Sequence, residues 1–206
     1  RSKLSITVEQ SPASIIITDL QGVIEYVSPA FTDISGYALA EALGQKTSIL
    51  NSGLTPLETY KNLWTTITAG NVWRGELLNR RKNGELFWEA TVIAPIRNAQ
   101  NVTTHYVAVK EDITARKHAE EALKNSELHY RAVAQSAKEA VVSADSDGRI
   151  IGWNRGADST FGYSEAEAVG QPLTMLMPSH FHTQHEAGME RVLSGGEKHV
   201  IGKTVE

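Results

Sequence analysis

Ser14-Ile-Ile-Ile-Thr-Asp-Leu-Gln-Gly-Val-Ile-Glu-Tyr-Val27 reads as two short β-branched runs, Ser14 to Thr18 and Val23 to Val27, folded back on each other at Asp19-Leu-Gln-Gly22. The chain contains this hairpin twice. An offset of 126 residues lays Asp19, Gly22, Ile24, Gly36, Tyr37, Ala40, Glu41, Ala42, Gly44 and Gln45 on Asp145, Gly148, Ile150, Gly162, Tyr163, Ala166, Glu167, Ala168, Gly170 and Gln171 without a gap. Ile15 and Ile16 fall on Val141 and Val142, and Leu50 falls on Leu176. A period this long marks a duplicated domain, not a solenoid repeat.

Outward from the first hairpin, short helical pieces run through Phe31 to Gly36-Tyr37. Thr55-Pro56-Leu57-Glu58 reads as a capping box with Pro at the first helical position, which predicts a helix to about Ala69. Arg74 to Arg81, Leu86 to Ile96 and Thr103 to Lys110 read as antiparallel strands, with turns at Lys82-Asn83-Gly84 and Arg97 to Asn101. The expected order is β-β-α-α-α-β-β-β, an α+β domain with helices on one side of a five-stranded sheet. Between the copies, a helix is predicted from Ala115 to about Gln135, capped by Thr114. Ala115, Ala119, Ala122, Ser126, Tyr130 and Val133 form a narrow face on it. That face suits either packing on the chain's own domains or a dimer seam. The expected domains are 1–114, a connecting helix over 115–135, and 136–206. The second copy ends at a position equivalent to Arg80 and so is expected to lack its last two strands.

Composition narrows the function. Of 206 residues, 41% are hydrophobic and 21% charged, with a net charge of −4, as in a globular protein without a nucleic-acid footprint. The longest apolar runs, such as Ile15-Ile16-Ile17, fall far short of the roughly 20 residues that span a bilayer, and no leader precedes them, so a cytoplasmic location is expected. There is no cysteine, which removes disulfides, thiolate ligands, thiol nucleophiles and cysteinyl adducts. No Gly-rich phosphate loop, serine elbow, metal-ligand helix or kinase catalytic region is present, so the chain is expected not to be an enzyme.

Ile17-Thr-Asp-Leu-Gln-Gly-Val-Ile-Glu-Tyr26, Ile34-Ser-Gly-Tyr37, Leu43-Gly44 and Asp112-Ile-Thr114 together resemble a PAS domain, and the second copy repeats the first part of the pattern. The resemblance implies two PAS domains joined by a helix, sensory modules usually upstream of a histidine kinase and often dimeric. Within the first copy, Ser52-Gly-Leu-Thr-Pro56, Tyr60, Leu63-Trp64, Gly70, Trp73-Arg-Gly75 and Asn79-Arg-Arg-Lys82 resemble the FAD-binding PAS domains of nitrogen-fixation redox regulators. The tandem arrangement is similar to sensor kinases of soluble methane monooxygenase operons. FAD is the implied cofactor, with its oxidation state as the signal.

A flavin ring needs a flat apolar slot and a few groups for its polar edge. In related blue-light flavin domains two asparagines ten residues apart and a glutamine serve that edge. Here Asn79, Glu89 and Lys110 hold those positions. Asn79 can donate and accept. A Glu89 carboxylate only accepts, and a protonated one donates; the alternative is a strand-end carboxylate facing water. Lys110 either stands near the ring or reaches to solvent. The light-sensing cysteine position is Thr47, so adduct photochemistry is excluded. The two arginines that hold an FMN phosphate are replaced by Ser48 and Trp64, which favours FAD. Trp73 is expected to wall the slot or else to close the sheet edge. Trp64 is expected either to meet the ribityl chain or adenine or to pack in the core, with Ile17, Asn51 and Tyr60 as further lining candidates. In the second copy, Met177-Pro178, His185, Arg191, Gly196-Glu-Lys198 and Ile201-Gly202 resemble haem-binding PAS domains, with His185 at the ligand position and Val205 at the distal one; His180, His182 and His199 lie nearby. A ligand-free pair used for dimerisation and relay, or a haem gas sensor, are the alternatives to a redox sensor.

Overall fold

The computed structural model describes residues 8–195. The chain divides into two compact units, Arg1–Ala122 and Leu123–Glu206.

In the first unit, β1 (Ser14–Thr18) and β2 (Ile24–Val27) form the expected hairpin. Short helices α1 (Pro29–Ser35) and α2 (Leu39–Ala42) follow, then a 3-10 turn (Thr47–Leu50) and α3 (Leu57–Thr68). Strands β3 (Trp73–Arg80), β4 (Leu86–Arg97) and β5 (Thr103–Asp112) complete an antiparallel five-stranded sheet of order β2-β1-β5-β4-β3. The first strand therefore lies inside the sheet, between β2 and the last strand.

Period-two alternation sorts the side chains between faces. Ser14, Ile16 and Thr18 of β1 are buried, whereas Ile15 and Ile17 lie on the other face and are only half-buried. The register carries the inner face across the sheet in rows: Ile16 opposite Ala108, Ala108 opposite Ile93, and Ile93 opposite Trp73. One core packs Ile16, Ile24, Val27, Phe31, Ala42 and Leu50. A second packs Leu63 and Ile67 of α3 on Trp73, Leu77 and Tyr106.

Two helix starts differ from expectation. Pro56 is the cap position of α3, and Thr55 does not cap it. The Thr55 hydroxyl donates to the Leu78 carbonyl (3.2 Å) and accepts from the Leu78 amide (3.1 Å), so β3 takes the group that the helix would have used. The long helix α4 (Thr114–Ser136) begins at Thr114 itself, and Asp112 accepts its amide at 3.0 Å. Arg116 (3.2 Å) and Lys117 reach Glu76, which pins the first turn. No residue of α4 is buried; Leu123, Leu128, Tyr130 and Val133 are each more than half exposed.

In the second unit, β6 (Val142–Ala144) pairs with β7 (Ile150–Trp153), followed by α5 (Arg155–Phe161), α6 (Glu165–Ala168), 3-10 turns at Leu173–Leu176 and Ser179–Phe181, and α7 (His182–Leu193). Ile150, Trp153, Ala157 and Ala168 form its core. His199, Gly196-Glu-Lys198, Ile201-Gly202 and Val205 lie outside the described residues.

Candidate functional site

The first unit encloses a cavity of about 450 Å³ between the sheet and the α3 side. Its waist is apolar: Leu63 and Ile67 from α3 face Leu77, Ile93, Tyr106 and Ala108 from three strands. The two ends are polar. At one rim stand Gln21, Lys46, Thr47 and Trp64; at the opposite end of the strand rows stand Asn79 and Lys110.

The rim is shaped by a close approach. Gly22 sits in the turn at φ +79°, where a side chain would be strained, and the place its Cβ would take is 3.2 Å from the edge of the Trp64 ring. Trp64 packs edge-on to Tyr106 with ring centres 6.3 Å apart and remains 38% exposed. It thus borders the cavity mouth and is not part of the core.

The inner end is a buried polar knot. Glu89, 2% exposed, accepts from Asn79 Nδ2 at 2.6 Å and from Lys110 Nζ at 3.0 Å, both on Oε2. Asn79 and Lys110 are 3% and 5% exposed. Lys110 therefore points inward, and Glu89 does not face water. An ammonium and an amide on one carboxylate offset the desolvation of both charges only because all three groups meet. Glu89 lies behind the wall that Asn79 and Lys110 present to the cavity. Asn51 bridges to Asn79 through the backbone, and its Oδ1 accepts from the Tyr60 hydroxyl at 3.4 Å; both residues line the cavity, as does Ser48.

Two expected residues stand elsewhere. Ile17 falls on the outer face because its neighbours Ile16 and Thr18 face inward, and Thr18 lines the cavity in its place. Trp73 does not line the cavity. Its indole N–H donates to Asn62 Oδ1 at 2.9 Å, and its ring lies across Gly75, where an added Cβ would stand 2.5 Å from it. It backs the wall formed by Leu63, Ile67, Leu77 and Tyr106. Sequence reasoning missed Leu77, Ile93, Tyr106 and Ala108, which inner-face alternation from Asn79 and Lys110 could have reached. Lys46 and Gln21 carry no sequence signal of that kind.

From Lys110 the strand runs two residues to Asp112. The Asp112 carboxylate accepts the Thr114 amide (3.0 Å) and hydroxyl (2.6 Å) on Oδ1 and pairs with Arg81 Nη2 at 2.7 Å. Burial pushes its acidity toward the neutral form, but the hydrogen bonds from Thr114 and Arg81 outweigh that and hold it below the usual carboxylate range. Thr114 Oγ1 in turn accepts the Trp88 amide at 2.9 Å, and the Ile113 amide donates to the Trp88 carbonyl at 2.9 Å. Arg81 also donates to the Ile34 carbonyl and lies 4.3 Å from the centre of the Phe87 ring. The root of α4 is thus tied to β4, β5 and the end of α1.

In the second unit, His185 borders a cleft of about 530 Å³ with Asp147, Glu186 and Met189. His180 lies against Phe181 with ring centres 4.1 Å apart and planes tilted by 44°, and His182 Nε2 meets the Met177 carbonyl at 3.0 Å. Among the described residues the histidines do not converge, and no group of three metal-ligating side chains is present. Among those residues, too, no helix is long and apolar enough to cross a membrane.

Comparison with known proteins agrees with this architecture. The chain is 36% identical over 144 residues, 70% of its length, to the nitrogen fixation regulatory protein of Klebsiella oxytoca, and it spans 29% of that relative. It is 30% identical over 119 residues, 58% of its length, to the hybrid signal transduction histidine kinase L of Dictyostelium discoideum, spanning 7% of it. Among solved structures, one described as "Flavin Analogue Sheds Light on Light-Oxygen-Voltage Domain Mechanism" superposes with a TM-score of 0.52 and 27% identity, covering 62% of this chain and 96% of that one. Residues 12–115 match the PAS domain family and residues 128–206 match the PAS fold, so the chain belongs to the PAS family and carries two copies of its domain.

Proposed function

We propose that the first unit binds FAD, that the cofactor's oxidation state is the signal, and that the chain is the input region of a two-component sensor histidine kinase working in the cytoplasm. The cavity carries this reading: an apolar waist between a polar inner end and a polar rim suits a ligand that is flat and apolar in its middle and polar at both ends. The donor set fits the group. Asn79 and Lys110 offer the inner end donors and an acceptor, while Trp64, Ser48, Asn51 and Tyr60 serve the part that leaves through the mouth. With no arginine among the described residues of the rim, a terminal phosphate dianion has no fork to grip there, which favours the dinucleotide over FMN. The relatives support the signalling side: one is a nitrogen fixation regulatory protein and another a histidine kinase.

When bound, flavin supplies reversible electron transfer. The chain's part is to feel the change in donors and acceptors at the inner end. A shift of Lys110 moves β5 two residues before Asp112, a shift of Glu89 moves β4 directly opposite Asp112, and Asp112 holds Thr114 at the root of α4. Residues 1–114 would then sense, 115–135 transmit, and 136–206 receive. The exposed Leu123, Leu128, Tyr130 and Val133 of α4 supply a surface for a second copy of the chain.

An absorption spectrum of the purified chain, before and after dithionite, tests this. Paired flavin bands that bleach on reduction are expected. A Soret band would point instead to haem at His185. A colourless protein that refuses added FAD would favour the ligand-free relay, with the bonds from Asn79 and Lys110 to Glu89 serving structure alone.

A further inference from the structure

Two hydroxyls in the first unit are out of keeping with their surroundings. Ser14 Oγ and Thr91 Oγ1 are buried, with residue exposures of 1% and 2%, and neither has a hydrogen-bond partner among the described residues. Buried polar groups are nearly always paired, so each exception calls for a reason. These two share one: Ser14 on β1 and Thr91 on β4 both stand directly opposite Lys110 of β5, one on each side. All three belong to the inner face. Opposed residues of an antiparallel ladder have Cβ atoms about 4.5–5.5 Å apart, within the sweep of a flexible lysine stem.

The Lys110 ammonium now spends a donor on Glu89 Oε2, which also takes the Asn79 amide. A ligand that takes the Glu89 carboxylate, or turns the Asn79 amide away from it, opens that knot. A buried ammonium left without an acceptor is strongly unfavourable. We infer that Ser14 and Thr91 form a second berth for the Lys110 ammonium, vacant while Lys110 pairs with Glu89 and taken when a ligand occupies the polar end of the cavity. The two hydroxyls then act as positioning residues: they make ligand capture feasible by receiving the cation that capture displaces. This inference rests on the cavity being a ligand site, and it deepens the FAD reading without depending on the identity of the ligand.

The first test needs no ligand. Thermal unfolding of the first unit is followed in the full chain for wild type, Glu89→Gln, Ser14→Ala/Thr91→Val, and the combination. With Glu89 present the hydroxyl pair is idle, so its removal leaves Tm unchanged or raises it. With Glu89→Gln the ionic partner is gone and the ammonium moves to the berth, so removing the hydroxyls lowers Tm by a further ~4 °C, the shift expected for one lost interaction in a domain of this size. Additive changes would overturn the berth. Should the Glu89 variant not fold, FAD titration decides. Ser14→Ala/Thr91→Val is then expected to weaken FAD binding about tenfold at unchanged Tm, while Thr91→Ser, which keeps the hydroxyl, retains wild-type affinity. Equal affinities for wild type and the double variant would overturn the inference. A wild-type chain that takes up no FAD would instead overturn the cofactor reading and leave the unfolding test to decide the berth.

Discussion

In the first copy, Asp19 Oδ1 accepts the amides of Gln21 and Val23, both at 2.9 Å; in the second, Asp145 Oδ1 accepts those of Asp147 (3.0 Å) and Arg149 (2.9 Å). Ile24 donates to the Gln45 carbonyl and Ile150 to that of Gln171, each at 2.8 Å. Val23 bridges to Lys46 as Arg149 bridges to Pro172. The backbone of the front half is thus the same frame in both copies. What fills it is not. Val27 and Phe31 are buried in the first copy, where the second has Trp153 and Ala157. The large side chain has moved four residues, from the helix to the strand before it. The two copies therefore preserve the filling of the space and not its source, as expected of cores packed to near-crystalline density. The back strands, which with α3 build the cavity, have no counterpart among the described residues of the second copy, although α7 stands at the position of α3.

This comparison is most easily broken at the exchanged pair. Phe31→Ala and Trp153→Ala should each cost about 3–5 kcal/mol in their own unit, the range for emptying a buried aromatic site. Trp153 also loses the bonds its indole N–H makes to Asp158 (2.7 Å) and the Tyr163 carbonyl (3.1 Å). The sharper test is transplantation. Val27→Trp alone overfills the first core, but Val27→Trp with Phe31→Ala should recover most of the loss in urea unfolding followed by circular dichroism. A double variant no better than the single would show that the two cores are not exchangeable fillings of one frame.

A second difference sits at the start of the helix after the hairpin. Ser28 Oγ accepts the Ile15 amide at 2.9 Å; its counterpart Asn154 accepts the Val141 amide at 2.8 Å and much else besides. Asn154 Oδ1 also takes the Ala157 amide at 2.9 Å, while Nδ2 donates to the carbonyls of Ala134 (2.7 Å) and Glu139 (3.0 Å). Both residues are buried. One bond lost with Ser28→Ala should cost about 1 kcal/mol, whereas Asn154→Ala strands several buried groups and should cost about 2–3 kcal/mol. Equal losses in the two units would mean that the additional bonds of Asn154 add nothing to stability.

The fold was legible because its signals are local and repeated. The Asp19 turn, the Gly36 and Gly162 helix ends and the strand alternation each follow from a few neighbouring residues, and duplication reads them twice. Asn79, Glu89 and Lys110 were legible as a set from their spacing on adjacent strands. Their direction was not, since a buried lysine and a solvated one have the same local sequence and only the Glu89 carboxylate across the sheet tells them apart. Trp73 shows the opposite limit. Its sequence neighbours mark it as a wall, but its N–H is claimed by Asn62 from a helix that no local pattern links to it. Thr55 was misread for the same reason: β3, distant in sequence, outbid the helix for its hydroxyl.

The smallest expected effect separates the copies by charge. Glu41 and Glu167 are equivalent positions, and both carboxyls are held below the ordinary glutamate range, by different partners. For Glu41 the side chain of Lys82, at 2.5 Å, matters most and the Ala38 amide next. For Glu167 the Ser164 amide comes first and the Ser164 hydroxyl second. A carboxyl lowered in the folded state contributes stability above its unfolded value, near 4.3, and that contribution is lost as pH falls through the folded value; the effect is therefore confined to the acid side. Lys82→Ala removes the leading partner of Glu41, and Ser164→Ala leaves the amide that leads for Glu167. Carboxyl titration by NMR should accordingly show a larger upward shift at Glu41 in the first variant than at Glu167 in the second. Added salt should raise Glu41 more than Glu167, because an exposed ion pair is screened and a hydrogen bond to a backbone amide is much less so. The reverse order would place the backbone, not Lys82, in charge of the first copy as well.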